Sequence, residues 1–273
     1  MESSDFVHLH VHTEYWLLDS TITVEGLVQK AKEFAMPAVA ITDHGNIDGA
    51  EDFIQLCWGS GIKPIVGCEM YIVDSLDNLP LAKTFHLVLL CENAIGYENL
   101  SRMVSYAQTE GFHYLPRIDK KILRVSAEGL IALSGCVKGE IPYLCMVNKY
   151  NEALAAAMDY ADMFPGRFYL ELNGNGLAEQ QIANQGLVRI AEELDLPMVA
   201  TNDCHYLNRE DAFEHEKLIC KQTGKSITDP THMRFSADEF SFKSPDEMKV
   251  VFANSPQAVS NTMKIADRCE IIR

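Results

Sequence analysis

The 273-residue sequence predicts an α/β fold, a barrel of seven largely parallel strands, and two observations carry that expectation. Short runs of apolar and β-branched residues alternate with longer stretches whose apolar residues recur at helical spacing. Parallel strands need crossovers long enough to hold a helix, so this alternation argues for a mostly parallel sheet. Seven strands in one domain suit a TIM-like barrel slightly short of the usual eight.

The first strand is read from Phe6-Val7-His8-Leu9-His10-Val11-His12, which alternates with a period of two and puts its histidines on one face. Val24, Leu27, Val28, Ala31, Phe34 and Ala35 follow at helical spacing, and Ala38–Ile41 is the second strand. A helix is expected from about Asp48, with Asp48 and Glu51 as a capping box, and then the strand Lys63–Glu69. Further strands are expected at His86–Cys91, Leu130–Ser134, Phe168–Leu172 and Pro197–Thr201, with helices near 95–109, 150–163 and 178–194. After about Arg209 the pattern becomes helix, loop and helix. The expectation is one domain over 1–273, with the barrel at about 5–208 and a helical and loop extension at about 209–273.

Composition narrows the function. No apolar run approaches the roughly 18 residues of a membrane span, and no membrane partner is expected. The acidic start Met1-Glu2-Ser3-Ser4-Asp5 has neither the basic region nor the apolar stretch of a secretion signal, so the expected location is cytoplasmic. The eight cysteines lack framework spacing and read mostly as buried free thiols. A formal net charge of −16 works against binding a polyanion over a broad surface.

Chemistry concentrates at the strand ends. His10 and His12 end the first strand, and His44 follows the second. Glu69 closes the third, Cys136 follows the fifth, and Asp203 and His205 follow the seventh. In a barrel these ends converge on one face. His86, which opens its strand, is the exception on this drawing. Imidazoles, carboxylates and one thiolate suit Zn, Mn or Fe better than Ca or Mg, and more than four ligands imply more than one ion. There is no Walker-type Gly-x-x-x-x-Gly-Lys-Ser/Thr phosphate loop, since Gly224-Lys225-Ser226 has Ile219 in place of the first glycine, no Gly-x-Ser-x-Gly elbow and no Gly-x-Gly-x-x-Gly after a strand. Asn173-Gly174-Asn175-Gly176 reads as a turn.

The motifs His10-Val11-His12-Thr13, Ile41-Thr42-Asp43-His44-Gly45, Gly67-Cys68-Glu69, Leu133-Ser134-Gly135-Cys136 and Asn202-Asp203-Cys204-His205 resemble those of the PHP (polymerase and histidinol phosphatase) superfamily. Tyr114–Asp119, Ala200–Asn208 and Met233–Phe240 extend the resemblance to the amino-terminal PHP domains of bacterial DNA polymerase III alpha subunits. The resemblance runs from about residue 5 to 272 and implies a distorted (β/α)7 barrel with nine ligands to three metals. His10, His12, Glu69 and Asp203 would hold one ion, Glu69, His86 and Cys136 a second, and Asp19, His44 and His205 a third. Trp16 and Ser20 depart from the usual pattern next to Asp19. His8 matches no ligand and reads as support or core.

The implied cofactors are two to three divalent transition-metal ions, and the implied activity is hydrolysis of phosphate esters by metal-activated hydroxide. Glu69 and Asp203 are the catalytic candidates. Arg117 and Lys138 are candidates to clamp a substrate phosphate, with His113 and His215 weaker ones. The substrate would be a phosphorylated small molecule or a nucleotide. The competing reading is a polymerase PHP domain, acting as a 3′–5′ exonuclease or as a non-catalytic, metal-stabilised module docking polymerase or proofreading subunits. An amidohydrolase on a similar barrel has no distinct cue in the sequence.

Overall fold

In the computed structural model, which describes residues 3–15, 20–78 and 82–270, the apolar runs become strands buried along nearly their whole length. The strands are β1 (Ala38–Ile41), β2 (Lys63–Val73), β3 (Phe85–Cys91), β4 (Phe112–His113), β5 (Leu115–Asp119), β6 (Leu130–Leu133), β7 (Phe168–Asn173) and β8 (Met198–Thr201). They form a curled sheet in the order β4-β5-β2-β3-β6-β7-β8, with β1 beside the first half of β2. Continuous apolar runs such as Leu130-Ile131-Ala132-Leu133 mark strands covered on both faces.

The helices that cover the sheet bury one stripe each. They are α1 (Val24–Glu33), α2 (Ala50–Ser60), α3 (Ala94–Thr109), α4 (Lys120–Val125), α5 (Glu140–Met146), α6 (Tyr150–Met163), α7 (Ala178–Leu194), α8 (Ala212–Gln222), α9 (Pro245–Val251) and α10 (Pro256–Arg268). Helix α1 turns Val24, Leu27, Val28 and Ala31 inward, and the Thr23 side chain accepts the Gly26 N–H at its start. Helix α10 closes the other side: Asn261 donates to Met198 O at 2.7 Å, and Thr262 Oγ1 accepts the Val7 N–H at 3.3 Å. The expected C-terminal extension is thereby tied to both β8 and the N-terminal segment.

Four local expectations are corrected. Residues 6–12 are extended but do not form a regular strand, because the Val7 and Val11 N–H groups go to the hydroxyls of Thr262 and Thr42 instead of a backbone ladder. The Asp48–Glu51 capping box is absent: the Asn46 side chain takes the Asp48 N–H, and α2 starts two residues later behind Gly49. The strand at 63–69 runs on to Val73, and β5, a strand not expected from the sequence, pairs with that extension. Finally, the sheet is mixed. Strand β3 runs antiparallel to both β2 and β6. The connection from 74 to 84 is shorter than the dozen or so residues a crossover needs, which suits an antiparallel neighbour.

Helix α3 is seated on the turn before β6 by backbone contact. A Cβ on Gly96 would lie 1.8 Å from Gly129 O, whereas one on the exposed Gly59 of α2 meets nothing within 4 Å. Gly96→Ala is expected to cost about 2–3 kcal/mol of stability. Gly59→Ala is expected to gain about 0.5–1 kcal/mol from helix propensity. Denaturant unfolding of the two variants checks this; equal midpoints would refute the backbone packing.

Candidate metal centre

Eight of the nine expected ligands meet at one end of the sheet, and the ninth, Asp19, lies outside the described residues, as does Trp16. The N-terminal segment delivers His10 and His12 between β1 and the end of β8: Ala40 N–H donates to His8 O, and Cys204 N–H to His10 O at 3.1 Å. His44 lies level with Glu69 in a parallel bridge, with Gly45 N–H donating to Glu69 O. Glu69 therefore sits inside β2 rather than closing it, at the height where the β1 segment ends. The antiparallel course of β3 accounts for His86. The first residues of an antiparallel strand lie beside the last residues of its parallel neighbours, and His86 pairs with Tyr71 near the end of β2.

The donor atoms are close enough to define a cation site. His10 Nε2 and His12 Nε2 are 3.2 Å apart, and Asp203 Oδ1 lies 3.3 and 3.1 Å from them. Glu69 Oε2 is 3.6 Å from the first nitrogen and 3.4 Å from the second. A tetrahedral ion with bonds of about 2.1 Å has donor–donor edges of roughly 3.4 Å. These five separations lie near that edge, and His10, His12 and Glu69 together could hold a transition-metal ion, with Asp203 beside both histidines. Glu69 also reaches outward, with Oε2 2.8 Å from His44 Nδ1 and Oε1 3.0 Å from His86 Nδ1. Its Oε2 thus faces His10, His12 and His44, and its Oε1 faces His86. Donor atoms of His12, His44 and His205 lie within 4.8 Å of one another, as do those of His44, Glu69 and His86.

The charge pattern follows from the crowding. Burial works against a charge on Glu69, yet His86, His44 and His10 hold its carboxyl well below the usual range. Burial likewise opposes the charge on Asp203, and His10, His205 and His12 hold it down. Burial also opposes a proton on His10, but Glu171, Asp203 and Glu69 together raise its imidazole well above the ordinary histidine value. Burial, reinforced by His44 and His205, pushes His12 down to about 3. One cluster thus combines deeply ionised carboxylates with imidazoles driven in opposite directions, an arrangement that a bound cation satisfies.

Glu171 is the functional residue that sequence reasoning missed. It is fully buried in β7 and accepts His10 Nδ1–H at 2.7 Å, leaving Nε2 to point into the cluster. Thr201 Oγ1 and Gly135 N–H, at 2.5 and 3.0 Å, complete its shell. A carboxylate behind a ligating histidine fixes ring and tautomer. The available signal was an acid inside the otherwise apolar run Phe168-Tyr169-Leu170-Glu171-Leu172. Asp43 plays a related part: its two oxygens accept the Thr13 N–H and Oγ1–H, fastening the residue after His12. Asp203 has φ +53°, in the left-handed region that Asp tolerates better than most residues, and this turn aims its carboxylate back at His10 and His12.

Above the cluster opens a cavity of about 560 Å³ whose lining includes His44, Glu69, His86, Cys136, Asp203 and His205. Cys136 stands on its wall, on a loop whose Lys138 O accepts the His86 N–H, outside the tightest donor groups. Burial, then Asp203 and Glu69, push its thiol well above the usual range. Lys138 lines the cavity. Arg117 does not: β5 carries it beside Tyr71 and buries it, so the expected clamp is not delivered to the cavity. His113 is on β4, away from the lining, and the buried His215 packs 5.5 Å from the His205 ring. His8 is core, its Nε2–H donated to Lys243 O and its ring against Phe242.

A family model described as PHP domain matches residues 8–175. The DNA polymerase III subunit alpha of Borreliella burgdorferi is 40% identical over 272 residues, covering 98% of this chain and 24% of that protein. The same subunit of Helicobacter pylori is 41% identical over 280 residues, covering 98% and 23%. That of Thermus aquaticus is 40% identical over 277 residues, covering 97% and 23%. The chain spans about a quarter of the length of these relatives.

Two outcomes are expected. Glu171→Gln should weaken metal retention by about 10–100-fold while the fold persists, measured by titration with a chelator; unchanged affinity would remove Glu171 from the site. His8, which burial lowers to about 4, takes up a proton in the unfolded chain near 6.5 and in the folded chain only near 4. Stability is therefore full above pH 6.5 and falls as pH drops towards 4, by roughly 3 kcal/mol from this residue. Denaturant unfolding of His8→Gln between pH 7 and 4.5 should show a shallower acid loss than the parent; parallel curves would contradict the assignment.

Proposed function

The chain belongs to the PHP domain family, and on that premise we propose that it is a metal-dependent phosphoester hydrolase whose site is the histidine–carboxylate cluster. The observation that carries this reading is the pair His10 Nε2 and His12 Nε2, 3.2 Å apart, with one oxygen of Asp203 and one of Glu69 each 3.1–3.6 Å from both, at the floor of an open cavity. Zn, Mn or Fe fits the mixture of imidazole, carboxylate and thiol, and two to three ions fit the nine candidate ligands. When bound, such ions acidify a water and neutralise the phosphoryl oxygens under attack.

The chain's own residues prepare that chemistry. His10, His12, Glu69 and Asp203 would hold one ion, and Glu69, His86 and Cys136 a second. His44, His205 and Asp19 would hold a third. Glu69 and Asp203 stay ionised without metal, so the site is charged in advance. Glu171 sets the direction of His10. Lys138 faces the cavity as a point charge for a phosphate. The same reading takes the curled sheet as a distorted seven-stranded barrel closed by residues 6–12, supported by hydrogen bonds from that segment to both β1 and the end of β8. It places the chain in the cytoplasm, supported by eight cysteines that all stand as free thiols. No described helix is long and apolar enough to cross a membrane.

A second reading is favoured by the relatives, which are DNA polymerase III alpha subunits. Within such a protein the site would act as a 3′–5′ exonuclease, or the metals would stabilise a module that docks polymerase or proofreading subunits.

Elemental analysis of protein purified without chelator is expected to give two to three transition-metal ions per chain. A screen of phosphomonoesters, cyclic phosphates and single-stranded DNA is expected to reveal hydrolysis by this form. Glu69→Gln keeps the side-chain volume and loses the bridging charge, so activity should fall by orders of magnitude, each roughly 1.4 kcal/mol of barrier being a factor of ten. Metal without hydrolysis of any ester would favour the docking module. Equal activity of Glu69→Gln and parent would show that this cluster is not the catalytic site.

A further inference from the structure

The cavity above the cluster has a charge that the chain's overall balance does not foreshadow. The sequence has 39 acidic residues against 23 Lys and Arg, yet Lys83, Lys138 and Arg234 all line this cavity. The acids among its described lining are Glu69 and Asp203, which belong to the donor cluster, and Glu179. Lys83 is engaged by the Tyr143 ring, 2.8 Å from its centroid, and Lys138 lies beside His86 and Cys136.

Among the described arginines outside the buried Arg117, Arg234 stands apart. Arg102, Arg124, Arg209 and Arg268 hold carboxylates, Arg167 holds the carbonyls of Ala127 and Leu130, and Arg189 lies over Tyr150. Among the described residues no carboxylate, carbonyl or ring engages Arg234, although it is exposed at the mouth of the cavity in an acid-rich chain. Its loop is nevertheless fixed on both sides. His232 Nε2 lies 2.5 Å from Glu216 Oε1, and Lys225 Nζ donates to Thr231 O at 2.7 Å. After it, the Phe235 ring packs 5.4 Å from that of His205 and 4.5 Å from that of Phe240, and Arg209 grips Asp238 with two nitrogens. The backbone thus carries Arg234 on the cavity wall one residue before Phe235, whose ring packs on His205, and leaves the guanidinium donors available to an anion.

We propose that Arg234 is the specificity-determining residue of this site, binding the second negative charge of a phosphomonoester. The proposal rests on the phosphoester hydrolase reading and names its substrate class. The proposal assigns the charge that a diester and a monoester share to the donor cluster and its ions. A monoester near pH 7 carries close to a second charge, and Arg234 is the cation with no other duty. It takes the part that sequence reasoning gave to Arg117.

The test uses the full chain loaded with Mn, with 4-nitrophenyl phosphate and bis(4-nitrophenyl) phosphate as substrates. Arg234→Ala should lower kcat/KM for the monoester by about 30-fold, chiefly through KM, as loss of one charge-assisted contact does. The diester should change by less than about 3-fold, metal content should be unchanged, and Arg234→Lys should recover part of the loss. In calorimetry, inorganic phosphate should bind Arg234→Ala about 30-fold more weakly than the parent. Equal losses on both esters, or unchanged phosphate affinity, would overturn the proposal. If the parent hydrolyses neither ester, the hydrolase reading fails, and the phosphate titration alone then decides whether Arg234 binds the anion.

Discussion

The carboxylate of Glu69 is the constraint on which the rest of the site depends. It is buried to within 1% of full exclusion and lies within 3.6 Å of ring nitrogens of His10, His12, His44 and His86. A lone ionised carboxylate in such a place costs several kcal/mol unless opposite charge compensates it. Protons on imidazoles provide part of that compensation, and a bound cation provides it without forcing neighbouring rings to share protons. The fold meets this demand at one level of the sheet, where the N-terminal segment, β1, β2, β3 and the end of β8 each contribute a donor.

The topology serves the same constraint. A strictly parallel arrangement would send His86 to the far end of the sheet, whereas the direct reversal between β2 and β3 returns it to the Glu69 side. Behind the donors, Glu171 and Asp43 hold His10 and Thr13, and α10 secures both the N-terminal segment and β8. The candidate ligands therefore rest on strands and their hydrogen-bonded ends, while the cavity wall above them is built partly from the 226–240 loop. A rigid floor with a separately fixed wall lets chemistry and substrate choice be set by different residues.

Much of this was legible in the sequence because periodicity and residue type coincided. The runs Ala38–Ile41, Leu130–Ser134 and Pro197–Thr201 read as strands, and strands stand at Ala38–Ile41, Leu130–Leu133 and Met198–Thr201, with the candidate donors following them. What was not legible depended on partners distant in the chain. The irregularity of residues 6–12 comes from hydroxyls at 42 and 262, and the failed capping box comes from a local turn led by Asn46. Arg117 and Arg234 both sit in motif-like segments, and only the backbone decides that the first is buried in β5 while the second faces the cavity. Glu171 was hidden for a related reason: an acid within an apolar strand acquires meaning only when the histidine it orients is placed beside it.

The central claim is that the four donor atoms enclose a metal ion, and anomalous diffraction from crystals grown with Zn or Mn tests it most directly. The account predicts a peak about 2.0–2.2 Å from His10 Nε2, His12 Nε2, Asp203 Oδ1 and Glu69 Oε2 together. Crystals from metal-replete protein with no anomalous peak among these atoms would contradict it.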